Sequence, residues 1–279
     1  MSYQIDIKEH LEKYKFGNSE LKEKEKGFWA RHQKFYHHIL PDTEANRKLN
    51  LLPEYRNTIW DYKIQKDVEL HQYFHHLNSS QAMCLNFFYP LWKENELITI
   101  LKLIKLEDES IESDSICFEK ESNIEEKPFR PTSFDFYFKT ESGKNIYFEI
   151  KYTEQKFGTA KPDEEHKLKF EDVYKKHLKA LEKEYHNPNK FFDNYQLLRN
   201  LIHLSEDGNS RVIFIYPKGN KKIQEQAKNA KSMVIDSLKD YVISLTWEEL
   251  LESVETETKN KKIKEQLKEF RKKYNITTP

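Results

Sequence analysis

Hydrophobic and polar side chains alternate with period two in two neighbouring runs, SFDFYFK at 133–139 and IYFEIKY at 146–152, separated by TESGKN. That period places successive side chains on opposite faces of an extended chain, and the Gly-containing connection predicts a hairpin. Upstream, the acidic stretch LEDESIESDSICFEKESNIEEK is interrupted by SICF, which predicts an edge strand near 115–120. Downstream, RVIFIYP at 211–217 is an unbroken apolar run bounded by Gly208 and Pro217, and YVISLTW supplies a last strand ending at Trp247. The intervening segments carry helical signals. NSSQAMCLNFFYPL at 78–91 opens on capping Asn and Ser residues and ends at Pro90, as a buried helix would. ELITILKLI at about 96–104 predicts a second apolar helix, with strand left open by its β-branched content. Two helical stretches fill 163–205, broken at His186-Asn187-Pro188-Asn189, and another helix spans about 221–239. EELLESV begins a short helix after Trp247. In 259–274, Ile263, Leu267, Phe270 and Tyr274 form one apolar stripe on a basic helix, which either packs on the body or faces a partner or phosphates. Residues 1–75 look helical, with a Pro-interrupted connection.

This order predicts an α/β fold with a mixed β-sheet flanked by helices. It divides into a helical N-terminal region at 1–75, a sheet domain at 76–255 and a basic amphipathic helix at 256–279. Eighteen Phe, sixteen Tyr and four Trp indicate a core built on aromatics, and six Gly and nine Pro among 279 residues argue against disorder. No apolar run approaches the roughly 20 residues of a membrane span, and the N-terminus lacks a signal-peptide layout. Two cysteines make no disulfide framework, so a reducing cytoplasm is expected. The 47 basic and 47 acidic residues cancel. Their distribution does not: 105–127 holds nine acids and three lysines, 259–274 eight bases and two acids.

The hairpin carries the chemistry. Phe134, Phe136 and Phe138 point one way and Asp135 and Tyr137 the other, while Ile146, Phe148 and Ile150 oppose Tyr147, Glu149 and Lys151. With an odd-length connection, Asp135, Glu149 and Lys151 share a face. A register near 135 opposite 151 would then set 137 opposite 149. Two adjacent carboxylates repel unless a cation lies between them, and hard oxygen ligands in small number suit Mg²⁺, with Mn²⁺ as an alternative. Such an ion activates water against a phosphodiester, and a nearby Lys orients or helps activate that water. The Ile150 carbonyl is a candidate third ligand. The alternative is a solvated strand face with ordinary ion pairs.

Asp135 followed by Glu149-Ile150-Lys151 on the next strand resembles the active-site signature of the PD-(D/E)XK nuclease superfamily. The element order is similar to that superfamily's helix-β-β-β-helix-β core. The SSQA…N…FFYPL, FDFYF, FEIKYTE and YQLLRN segments are similar to a family of bacterial type II restriction endonucleases, the likeness covering roughly 70–250. The resemblance implies metal ligands at Asp135 and Glu149, a catalytic lysine at Lys151, and a Mg²⁺-dependent deoxyribonuclease serving restriction or defence. Gln81 on the preceding helix stands near the superfamily's usual acid. Gln196, with Asn200, stands where RecB-like members carry Gln-x-x-x-Tyr. DNA is the implied partner, together with a homodimer for double-strand cutting and a cognate methyltransferase on the same DNA. A repair- or RNA-directed nuclease, or a non-catalytic interaction module, are the alternatives. Six Glu-x-Lys triplets occur, and only the one at Glu149 lies in an alternating apolar strand beside a strand with a central Asp.

Lys156, Lys161, Lys218, Lys221 and Lys222 are candidate phosphate contacts that equally suit a solvated surface. WARHQKFYHH mixes aromatic and basic residues, which suits either nucleic acid or a half-buried helix. His71 and His75 stand four apart, but the metalloprotease Glu is missing, so zinc is the lesser reading. No Gly-x-Ser-x-Gly and no Walker loop is present.

Overall fold

The computed structural model describes residues 2–125 and 128–277. In chain order these form α1 (Tyr3–Gly17), β1 (Gly27–Trp29), β2 (Lys34–Tyr36), α2 (Glu44–Leu49), α3 (Arg56–Gln65), α4 (Ser80–Lys93), β3 (Cys117–Glu121), β4 (Ser133–Lys139), β5 (Asn145–Ile150), α5 (Glu164–Asp172), α6 (Pro188–Asp193), α7 (Tyr195–Leu201), β6 (Ser210–Tyr216), α8 (Lys221–Asn229), β7 (Val242–Thr246), α9 (Trp247–Glu257) and α10 (Lys261–Tyr274). They fall into two compact units. One comprises Met1–Lys105, Pro217–Asn220 and Thr246–Pro279, the other Leu106–Tyr216 and Lys221–Leu245.

The first unit is mainly helical. The Ser79 hydroxyl caps α4 by accepting the Ala82 N–H at 3.2 Å, and Gln81 through Leu91 are all buried. Pro90 does not end the helix, which continues to Lys93. The expected stripe on α10 is buried, with Ile263, Leu267, Phe270 and Tyr274 all at 1% exposure or less, so that face belongs to the core. Phe87 of α4 packs against Trp247 and Phe270, with ring centroids at 5.2 and 5.4 Å. Buried Asn86 donates to the Tyr274 hydroxyl at 2.7 Å and accepts the Leu52 N–H at 2.7 Å. Two departures from the expected helices occur here. Residues 97–104 form successive 3-10 turns, in keeping with poor helical packing of Ile and Thr. Residues 27–36 form a hairpin, Gly27 opposite Tyr36 and Phe28 opposite Phe35, where a helix was the structural alternative.

The second unit carries a five-stranded mixed sheet in the order β3-β4-β5-β6-β7, flanked by helices, the α/β architecture expected from the sequence. The β3/β4 and β4/β5 pairs are antiparallel, and β5/β6 is parallel. β6 is buried at every residue, as a solid apolar run between neighbours should be. A core of Phe157, Phe170, Phe191, Phe192, Leu198 and Phe214 joins the loop after β5 and helices α5 to α7 to the sheet. Asn187 caps α6 with Pro188 in its first turn, at the expected break. The helix expected over 221–239 stops at Asn229 and gives way to 3-10 turns.

Beneath α7 lies a buried ion network. Glu125 accepts hydrogen bonds from the Thr132 N–H and hydroxyl, both at 2.7 Å, from Tyr174 at 2.7 Å, and from Arg199 at 3.1 Å, with Lys169 at 3.4 Å. Burial alone would raise its pKa, but Arg199 and these donors overcome that and hold the carboxyl at about 2. A depressed acid stabilises the fold fully above its unfolded value and loses that contribution as pH falls through the folded one. Glu125→Gln is therefore expected to cost on the order of 3 kcal/mol at pH 7, by stranding buried cations. In urea denaturation the deficit against wild type should shrink as pH falls from about 5 towards 2.

Candidate active site

The connection between β4 and β5 runs from residue 140 to 144, an odd length, and paired positions accordingly have the parity that brings Asp135, Glu149 and Lys151 to one face. The register differs from the expected one by two residues. Phe136 pairs with Phe148, Tyr137 with Tyr147 and Phe138 with Ile146, so the next step sets Asp135 against Glu149, not Lys151. Asp135 Oδ2 accepts the Ile150 N–H at 2.6 Å, so the carboxylate takes a main-chain donor where the ladder ends. The alternation is also imperfect. The Phe134 ring lies 4.6 Å from Tyr147 and 4.9 Å from His203, whereas Phe136 and Phe138 meet Phe148 at 5.4 and 5.7 Å.

Opposite this point β3 is irregular. Phe118 pairs with Phe136 and Lys120 with Phe134, and between them Glu119 adopts a left-handed backbone at φ 53°. A non-Gly residue in that conformation inside a strand is uncommon and costly. Glu119 Oε2 accepts the Ser133 hydroxyl at 2.9 Å. Burial, then the Glu149 carboxylate, then that of Glu119 push the Asp135 pKa well above the ordinary carboxylate value.

Glu149 and Lys151 are both buried, at 4% and 7% exposure. Lys151 Nζ donates to Glu149 Oε1 at 2.8 Å and to Gln196 Oε1 at 3.2 Å. Gln196 Nε2 donates to Glu149 Oε1 at 2.7 Å, and Asn200 Nδ2 to Glu149 Oε2 at 3.1 Å. Gln196 and Asn200 stand one helical turn apart on α7, the spacing that aims two amides at one carboxylate. Burial would lower the Lys151 pKa, but Glu149, Glu154 and Asp135 raise it instead, so it stays an ammonium. Gln196 also accepts the Gly158 N–H at 2.9 Å, tying the loop after β5 to the cluster.

Asp135, Glu149, Lys151 and Gln196 are thus brought together. Asn200 and Glu119 join them without having been singled out as site residues. The four-residue spacing from Gln196 was the available signal for Asn200, and none existed for Glu119, whose role depends on its backbone conformation. Gln81 is differently engaged: its amide accepts the His71 N–H at 2.8 Å and donates to the Glu69 carbonyl at 2.9 Å, as a main-chain brace in the helical unit. Lys156 and Lys161 are exposed on the loop after β5, and Lys221 and Lys222 on α8. The Phe157 N–H donates to Gln226 at 3.0 Å, joining that loop to that helix. Lys218 is exposed in the first unit, its N–H donating to Glu248 at 2.9 Å. His71 lies in a loop and His75 in a turn, not on one helical face.

Residues 9–275 match the family described as Restriction Endonuclease associating with ARP. The chain belongs to that family. Membership makes it restriction endonuclease-like, with DNA as the implied substrate. No curated protein and no solved structure matches the chain. Among the described residues, no group of three or more His, Cys, Asp or Glu side chains is arranged to hold a metal, and no helix is long and apolar enough to cross a membrane.

The donor set tests whether a divalent cation fits. Two neighbouring carboxylates supply hard oxygens, and burial, then Glu149 and Glu119, raise the Asp135 pKa against the lowering effect of Lys151. Glu149 Oε2 accepts one hydrogen bond, leaving a second lone pair. These residues fit a small oxygen-seeking ion that draws its remaining ligands from main chain, water and substrate.

A carboxyl whose pKa is raised favours the fold while neutral, and ionisation withdraws that stability as pH rises past the ordinary carboxylate range. Asp135→Asn keeps an acceptor for the Ile150 N–H and removes the charge. With chelator at pH 8, its thermal midpoint is expected about 2–4 °C above wild type, a gap that closes near pH 4. Mg²⁺ should raise the wild-type midpoint and leave the variant unmoved. Identical wild-type and variant melts at both pH values would contradict this account of the site.

Proposed function

We propose that the chain is a metal-dependent DNA endonuclease of the PD-(D/E)XK kind, acting in restriction of foreign DNA. The observation that carries this is the neighbourhood of Asp135 and Glu149 where the β4/β5 ladder ends, with the Lys151 ammonium held on Glu149. Asp135 and Glu149, with the Ile150 carbonyl, are the protein groups that would hold Mg²⁺ or Mn²⁺. When bound, the ion supplies Lewis-acid polarisation of the phosphodiester and a lowered pKa for water.

The chain's own side chains do the rest. Lys151 enters as a cation, so its contribution is donation to a phosphate oxygen as negative charge grows there, in a site where water is largely excluded. The general-base role expected for a lysine at this position does not suit an ammonium stabilised by three carboxylates. Gln196 and Asn200 fix the orientation of Glu149, and Gln196 also steers Lys151. Water adds to phosphorus as the bond to the 3′-oxygen breaks, leaving a 5′-phosphate and a 3′-hydroxyl. Lys156, Lys161, Lys218, Lys221 and Lys222 are exposed cations able to meet backbone phosphates. Homodimerisation would allow cleavage of both strands, and a cognate methyltransferase would protect host sites in the cytoplasm.

The test is cleavage of supercoiled plasmid with Mg²⁺. Asp135→Ala, Glu149→Ala and Lys151→Ala are each expected to lower the rate at least about hundredfold, and EDTA to abolish it. Asn200→Ala should lower it about 10- to 100-fold with the fold intact. Cleavage by Lys151→Ala at the wild-type rate would sink the assignment.

A further inference from the structure

Unit one contains a feature the nuclease site does not use, the hairpin β1/β2. Its two strands pair Gly27 with Tyr36, Phe28 with Phe35 and Trp29 with Lys34, so Phe28 and Phe35 lie side by side on one face. The other face is anchored. Gly27 donates its N–H to the Ile39 carbonyl at 2.7 Å, and a Cβ at Gly27 would come within 2.3 Å of the Leu40 carbonyl oxygen, so only glycine allows this approach. The Trp29 ring stacks on His32 at 3.8 Å and meets His76 edge-on at 5.7 Å, and the Tyr36 ring lies 5.3 Å from His38. Held this way, the hairpin turns Phe28 and Phe35 outward at 43% and 63% exposure, their ring centroids 5.1 Å apart.

Two large aromatics presented to water on an anchored support need an occupant, and the charge around them indicates which kind. From Lys26 to Pro41 there is no acidic residue, in a chain with 47 acids among 279 residues, while Lys26, Arg31 and Lys34 are exposed. Lys8 adds a further cation, its Nζ 5.2 Å from the Trp29 ring centroid. The exposed Glu25 precedes Lys26, and Glu12 lies 3.7 Å from His37, yet the hairpin itself carries cations and no acid. Exposed rings interleaved with cations are complementary to unpaired bases on a phosphate backbone. Duplex bases hide their faces in the stack, so a strand with exposed bases fits and an intact duplex does not.

We propose that the β1/β2 hairpin is a stacking platform for unpaired DNA, with Phe35 and Phe28 receiving bases and Arg31 and Lys34 receiving phosphates. The choice of DNA over another polyanion rests on the nuclease reading above. The experiment is fluorescence anisotropy of a short labelled oligothymidylate with the full chain in EDTA, beside a duplex of equal length. Phe35→Ala and the Phe28→Ala/Phe35→Ala pair are expected to weaken strand binding roughly five- to hundredfold with duplex binding unchanged, and Phe35→Trp to retain it. Arg31→Ala/Lys34→Ala should lower the salt slope by about one to two. These side chains are exposed, so melting midpoints should match wild type. Strand binding unchanged by Phe35→Ala would overturn the proposal, as would an equal loss on duplex, or a change in sedimentation without a change in strand binding, which would mark a protein interface instead. Failure of the catalytic reading is separately visible: a wild-type chain that binds the strand through Phe35 yet never cleaves plasmid refutes the nuclease and leaves the platform.

Discussion

Everything at the candidate site follows from repulsion between two carboxylates placed opposite each other at the end of a buried hairpin. Glu149 meets it with a bonded ammonium and two amides. Asp135 has the Ile150 N–H, yet its pKa still rises, because burial, then the Glu149 carboxylate and then that of Glu119 disfavour its charged form. The carboxylate whose pKa is raised is also the one nearest the irregular edge of β3, where a left-handed residue breaks the ladder. A strained residue beside a carboxylate with a shifted pKa is a usual mark of a functional position.

The same helix serves both the site and the stability of the unit. Arg199 of α7 lies between Gln196 and Asn200 in sequence, and its guanidinium enters the Glu125 network while the two amides reach Glu149. His203, one turn beyond Arg199, donates its Nδ1–H to the Arg199 carbonyl at 2.9 Å and places Nε2 2.8 Å from the Ser122 hydroxyl. A helix clamped at Arg199 by buried ions cannot rotate without breaking them, so the neighbouring amides keep their aim. Preorganisation of this kind is what a charged hydrolytic centre requires, because donors that must reorient during reaction lose much of their electrostatic effect.

How much of this was legible in the sequence depends on which physical constraint decides each feature. Period-two alternation fixed β4 at 133–139 to the residue and gave the shared face of Asp135 and Glu149, since parity needs only an odd connection. The register itself came out two residues away, because turn geometry sets the number of residues closing the hairpin and the alternation is indifferent to shifts of two. Phe134 departs from its expected face beside Glu119, whose positive φ no residue pattern announces. Gln196 and Asn200 were visible as a four-residue spacing, yet only the contact shows both meeting Glu149. In the N-terminal region, WARHQKFYHH fits helix and hairpin equally by composition, and Gly27's close approach to Leu40, a tertiary constraint, decides it. Segments 97–104 and 230–241 have helical composition but too little regular packing to hold α geometry, and relax to 3-10 turns.

A net charge of zero is a poor guide to what such a chain contacts, because its cations are of two physical kinds. Lys151 is desolvated and bonded to Glu149, so bulk salt barely screens it, and its interaction is a fixed feature of the folded protein. Arg31 and Lys34, like Lys156, Lys161, Lys221 and Lys222, are exposed and act on a phosphate chain only by displacing its counterions, an effect that fades with ionic strength. Affinity for nucleic acid and chemistry on it therefore separate: the first would be salt-sensitive and distributed over exposed residues, the second salt-tolerant and confined to the end of one hairpin. The acidic stretch at 105–127 balances the total mostly away from both places: its buried member Glu125 is paired with Arg199 and Lys169, and Glu119 reaches the neighbourhood of Asp135.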